Sequence, residues 1–204
     1  ELVQGVKDRI LASGGPEPLL AQMSIGNQLA LAVCRVKGPD VMGTGFLIQN
    51  NLLITSRSVL PSRKAAAATV VNFGSTKADA NAPVKSYPLD PESGFATSKL
   101  DGWTAVRVSG DPNAAFGALR LAQITPTVGG DVVIIHSPQG GPLQITIQEK
   151  GIEAVTQQSV RYRIDSAPGS TGAPVFNEQW DVIAIHERGV VEAAPSTLEN
   201  RLGK

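Results

Sequence analysis

The 204-residue chain has a single cysteine, Cys34, and two histidines, His136 and His186. One thiol excludes an intramolecular disulfide and suits a reducing, cytoplasmic setting. Two histidines and one cysteine, with no clustered carboxylates, offer no convincing metal site. Long apolar runs are also missing. The longest, Leu29 to Cys34, falls far short of the roughly 20 residues of a membrane span. Neither sign of charge dominates: 18 basic residues face 18 acidic ones, so nothing points to nucleic acid or to a membrane surface. No signal-peptide pattern is visible, and the sequence starts at Glu1 rather than Met. It therefore reads as an excised or processed piece of a larger protein or assembly.

What is present suits one sizeable core, at 42% hydrophobic content. Leu2, Val6, Ile10 and Leu11 follow a helical period, which Ser13-Gly14-Gly15-Pro16 ends. A second helix is predicted from Pro18 to Leu29, with Leu19, Leu20, Met23 and Ile25 on its apolar side. Together these form an N-terminal helical extension over residues 1–30. Short apolar runs follow, at Ala32–Val36, Thr44–Ile48, Leu52–Thr55, Thr69–Phe73 and Trp103–Val108. The series continues through Asp131–Ile135, Leu143–Ile147, Val160–Ile164 and Asp181–Ile185, with Gly, Pro and Asn between the runs. Many short strands with such punctuation indicate a mainly β sandwich or barrel. The Ala-rich and polar segments Lys64–Ala68 and Ser75–Val84 read as surface loop, and a short C-terminal helix is expected from Pro195 to Leu202. The paired glycines at 14–15, 129–130 and 140–141 lack phosphate-loop or dinucleotide spacing, so no cofactor is expected.

The segment Asp165-Ser166-Ala167-Pro168-Gly169-Ser170-Thr171-Gly172-Ala173-Pro174-Val175-Phe176 resembles the nucleophile loop of trypsin-like serine peptidases, with Thr171 in the place of the attacking serine. Gly43-Thr44-Gly45-Phe46-Leu47-Ile48 followed by Asn51-Leu52-Leu53-Ile54-Thr55 is similar to the first hairpin of the bacterial glutamyl-endopeptidase branch. There the next turn carries the general-base histidine. Here it reads Thr55-Ser56-Arg57-Ser58-Val59-Leu60, which puts Ser58 at that position. Ile135–Pro142 resembles the family's Pro-Gly loop, and Val175–His186 its strand–turn–strand after the nucleophile. The resemblance runs from about Ala32 to Val190. It implies a double six-stranded antiparallel β-barrel over 31–204, with the first barrel about 31–115, the second about 116–190 and a tail at 191–204. For the third triad member two registers fit Leu100-Asp101-Gly102-Trp103-Thr104-Ala105-Val106-Arg107-Val108. Alignment from the leucine keeps Asp101 as the orienting carboxylate, and alignment from the strand end puts Gly102 there.

These substitutions bear directly on the chemistry. A Ser or Thr hydroxyl needs an adjacent base to become a nucleophile, and the Ser58 hydroxyl cannot take a proton near pH 7. Threonine nucleophiles use an N-terminal amine as base, whereas Thr171 is internal. The oxyanion-hole-like N–H groups of Gly169 and Thr171 need no side chains and survive. The resemblance thus implies a catalytically inactive peptidase domain used as a protein- or peptide-binding or regulatory module. The alternative is a working or conditionally working endopeptidase with a base elsewhere, at His136 or His186. His186 falls where the branch contacts the acidic side chain of its substrate, which implies a retained pocket; a hydrogen-bonded histidine at a strand end is the other reading. Asp165 falls at the specificity aspartate of trypsin, or simply closes a strand. Arg57 fills the space of the lost histidine, or is a solvated turn residue.

Overall fold

A computed structural model describes residues 16–76, 83–121, 123–187 and 197–201. The predicted helix over Leu2–Leu11 lies outside them. Helix α1 (Pro16–Leu31) leads into six antiparallel strands: β1 (Val33–Lys37), β2 (Met42–Ile48), β3 (Leu52–Ser56), β4 (Val70–Phe73), β5 (Lys85–Thr97) and β6 (Trp103–Val108). They close into a barrel of order β1-β2-β3-β6-β5-β4. The β2–β3 hairpin turns on Asn50 (φ 63°) and Asn51 (φ 54°), residues that tolerate the left-handed backbone such a tight turn needs. Phe46, Leu47, Leu53, Leu60, Val71 and Phe73 fill the barrel with no exposure.

Seven further strands follow: β7 (Val132–His136), β8 (Gln144–Gln148), β9 (Ile152–Val155), β10 (Ser159–Arg163), β11 (Pro174–Phe176), β12 (Val182–Ile185) and β13 (Thr197–Arg201). They form one sheet of order β8-β7-β11-β12-β13-β10-β9, where a second six-stranded barrel was expected. Val132, Ile134, Tyr162 and Val175 are fully buried against it. The mainly β architecture, with a closed six-stranded antiparallel barrel, stands as expected.

Three further expectations need correction. The C-terminal helix is absent: Thr197–Arg201 is a strand paired antiparallel with Ser159–Arg163 from Thr197↔Arg163 to Arg201↔Ser159. The apolar spacing fits a helix, but an unpaired edge of β10 is satisfied only by a strand. Within the predicted loop Lys64–Ala68, Arg63–Ala67 is a helical turn, α2, whose N-cap Ser62 accepts from the Ala65 N–H at 3.2 Å. In α1 the expected apolar side does not face the core, since Met23 (55% exposed) and Ile25 (42% exposed) point outward. Gly26 and Ala30 are the buried positions instead. There, a Cβ on Gly26 would lie 2.5 Å from the Trp180 ring.

Candidate active-site cleft

The two strand systems meet along a seam of hydrogen bonds, and the turns that carry Ser58, Gly169 and Thr171 lie on or beside it. Thr44, buried in β2, organises the seam. Its N–H donates to Thr171 O at 2.8 Å and its hydroxyl donates to Gly169 O at 2.8 Å. The same hydroxyl accepts from the Ser137 N–H at 3.0 Å, while Thr44 O accepts from the Thr55 hydroxyl at 2.7 Å. The 169–172 turn is thereby fixed from three sides, since Gly172 N–H also donates to His186 O at 2.7 Å. Its glycines are required by space and backbone alike. Gly169 (φ +96°) has Ser137 O only 2.6 Å from where a Cβ would stand, and a Cβ on Gly172 (φ +91°) would overlap Thr44 O and the Thr55 hydroxyl.

Thr171 is half-buried, and among the described residues its hydroxyl has no hydrogen-bond partner. The N–H groups of Gly169 and Thr171 donate to no protein acceptor among those residues. Opposite, the Ser56-Arg57-Ser58 turn leaves β3. Gly43 lies where the two meet, since a Cβ there would stand 2.7 Å from the Val59 side chain and 3.0 Å from Thr171 O. Ser58 is exposed, and its hydroxyl bonds the Ser56 hydroxyl at 2.7 Å. Ser56 Oγ also accepts the Ser58 N–H at 3.0 Å and donates to the Glu187 carboxylate. A carboxylate from the end of β12 thus crosses the seam to the base-position turn.

The third position resolves into two separate environments. The Asp101 carboxylate accepts from the Ser98 hydroxyl at 2.8 Å within its own turn. Gly102 O accepts from the Arg57 N–H at 2.7 Å, directly beside Ser58. Arg57 itself is half-buried, and its Nε is the one buried side-chain nitrogen or oxygen without a partner among the described residues.

The histidines are both buried and both engaged. His136 Nδ1 bonds the Ser170 hydroxyl at 2.7 Å and its Nε2 the Thr146 hydroxyl at 2.9 Å. His186 Nδ1 bonds the Tyr162 hydroxyl at 2.7 Å. Burial lowers the His136 pKa to about 4. Burial, and then the neighbouring His136, lower that of His186 to about 3, so both rings are neutral at pH 7. Asp165 is exposed and makes no hydrogen bond among the described residues. No group of three His, Cys, Asp or Glu side chains able to hold a metal occurs among them either. Cys34 is buried within β1 of the first barrel, and burial pushes its thiol up, which makes it unreactive.

Ser56 and Glu187 escaped the sequence reading. A serine before an expected base and a carboxylate next to a histidine carry no motif, and only the packing of β3 against the end of β12 joins them.

The family model of the trypsin-like peptidase domain matches residues 43–185, a span that holds most of this seam. The chain belongs to that family. It is 34% identical over 191 residues to the uncharacterized protein y4fB of Sinorhizobium fredii (strain NBRC 101917 / NGR234), with 81% of this chain covered. It spans 29% of that relative's length. In structure it is similar to a Glu endopeptidase, with TM-score 0.67, 13% identity and 85% of each chain covered. It is also similar to Deg5, with TM-score 0.67, 12% identity and 90% of each chain covered. At such identities the likeness speaks for the trypsin-like fold alone. No helix of the described residues is long and apolar enough to cross a membrane.

Proposed function

We propose that this trypsin-like domain is catalytically inactive and that its cleft binds a protein or peptide. One observation carries the reading: among the described residues no imidazole hydrogen-bonds the Thr171 hydroxyl. Both ring nitrogens of His136 are taken by Ser170 and Thr146, and His186 is turned to Tyr162. At the base position stands an exposed serine hydroxyl, which cannot hold a proton taken from Thr171 near neutral pH. Loss of a working triad leaves only about 10³–10⁴-fold acceleration from hole and binding in a peptidase of this kind. Of the two registers for the triad aspartate, Gly102 is the better supported, because its carbonyl meets the base-position turn while Asp101 serves Ser98. His186 keeps a pocket role in this reading. With Nδ1 accepting from Tyr162, its Nε2–H is left to donate to an acidic side chain of the partner. We further propose that the domain works as one part of a larger cytoplasmic protein, with no nucleic acid, membrane or cofactor involved.

A second reading rests on Glu187. Its carboxylate, Ser56 Oγ and Ser58 Oγ form a hydrogen-bonded chain that would pass a proton from a Thr171 hydroxyl docked onto Ser58 toward a real base. Incubating the domain and its Thr171→Ala variant with a diverse peptide library, read by mass spectrometry, separates the two. The inactive reading expects retained but uncleaved peptides. Cleavage that vanishes in Thr171→Ala and in Glu187→Gln would establish the enzyme instead.

A further inference from the structure

The Ser56-Arg57-Ser58 turn holds a directed chain of hydroxyls that peptide binding does not use. Ser56 has one hydroxyl proton, and it goes to the Glu187 carboxylate. The 2.7 Å bond between the Ser56 and Ser58 hydroxyls is therefore donated by Ser58. Ser56 Oγ also takes the Ser58 N–H at 3.0 Å, so both of its lone pairs are used. Ser58 Oγ keeps its own two lone pairs in an exposed position, while its proton points down a path that ends on a carboxylate. The backbone fixes this turn. The Arg57 N–H donates to Gly102 O at 2.7 Å, and the Val59 and Leu60 N–H groups both donate to Ser56 O at 3.1 Å. Ser56 has no exposure and Glu187 is half-buried, so water is kept from the middle of the chain, where it would compete for the Ser56 hydroxyl.

We propose that Ser58 is a nucleophile, activated through Ser56 by Glu187 acting as general base. A serine hydroxyl needs a base within reach of its proton, and here one intervening hydroxyl extends that reach. In the reaction, Ser58 Oγ forms a bond to a carbonyl or phosphoryl centre as the bond to the leaving group breaks. The Ser58 proton passes to Ser56 Oγ, the Ser56 proton passes to Glu187, and the leaving group departs with its electron pair. Glu187 then gives its proton to the leaving group or to water. A carboxylate is a weaker base than an imidazole, so the electrophile must carry a good leaving group. Thioesters, activated esters and phosphonyl fluorides meet that condition, and peptide bonds do not. The assignment goes beyond the peptide-binding reading and leaves it intact, since modifying Ser58 needs no peptide bond to be cut.

The test uses the 204-residue chain and an alkyl fluorophosphonate, with adducts mapped by peptide mass spectrometry. The expected result is one adduct, on Ser58, formed with loss of fluoride and abolished in Ser58→Ala. Glu187→Gln keeps an oxygen that accepts from Ser56 but cannot take up a proton, and Ser56→Ala removes the relay. Each should slow labelling about 100-fold in protein whose urea midpoint shows it to be folded. Labelling of Ser58 that is equally fast in both variants overturns the proposal. No adduct at all overturns it too and leaves the peptide-binding reading in place. An adduct on Thr171 instead defeats both the proposal and the inactive reading.

Discussion

Gly172 has the least freedom of any residue in the cleft. Its φ of +91° is a backbone few side chains tolerate, and a methyl group there would overlap two oxygens, Thr44 O and Thr55 Oγ1. Gly172→Ala should therefore destabilise the fold by about 2–4 kcal/mol, read from the urea midpoint. An unchanged midpoint would mean that the loop is softer than its hydrogen bonds indicate. The histidines make a second residue-scale prediction. In the unfolded chain both titrate near 6.5, but in the fold burial depresses them to about 4 for His136 and about 3 for His186. A histidine with a depressed folded value is protonated first in the unfolded state, so acid favours unfolding. Stability should be level above about pH 6.5 and then fall by as much as about 1.4 kcal/mol per pH unit for each ring, until the folded values are reached. Urea titrations at pH 7 and pH 5 check the sign. Equal midpoints would show that the rings are not shielded from water.

At the scale of elements, the sequence revealed strands wherever a short apolar run lay between turn residues, as at β1, β2, β3, β6, β7, β10 and β12. It hid β5, because Pro88, Pro91 and Gly94 interrupt the alternation. The structure pairs Pro88 with Val70 of β4 and absorbs Pro91 and Gly94 in a bulge, where the pairing register with β6 shifts between Asp90 and Phe95. It misled at β13, where a helical spacing lost to the open edge of β10. It also misled at α1, whose inward face is set by one close approach rather than by large apolar residues. There Gly26 lies against Trp180, and the Trp180 indole N–H donates to Gln22 Oε1 at 2.6 Å. Gly26→Val should push the helix off the ring. The expected result is a red-shifted tryptophan emission and a loss of about 1–3 kcal/mol from overpacking against the ring, which outweighs the better helix propensity of valine than of glycine. Unshifted emission with unchanged stability would mean that α1 sits further from Trp180.

Across the whole molecule, the turns at 56–58 and 169–172 stood out in the sequence because each lies in a short local motif. The seam that joins the motifs was not legible. Thr44 lies in an ordinary Gly-Thr-Gly hairpin, and Glu187 is one carboxylate among many; their importance comes from partners more than a hundred residues away. Thr44 gives the seam its sharpest test. Its hydroxyl satisfies Ser137 N–H and Gly169 O at once, at 3.0 and 2.8 Å in a fully buried setting. Thr44→Val keeps the shape and the backbone bond to Thr171 O but strands a buried donor and a buried acceptor together. Each stranded group costs about 1–3 kcal/mol, so urea denaturation should show a loss of roughly 2–6 kcal/mol. Because Gly169 O is one of the stranded groups, the same change should also loosen the 169–171 turn and weaken peptide retention more than stability alone predicts. If retention at saturating native protein is unaffected while stability drops, the seam holds the two strand systems together without shaping the cleft.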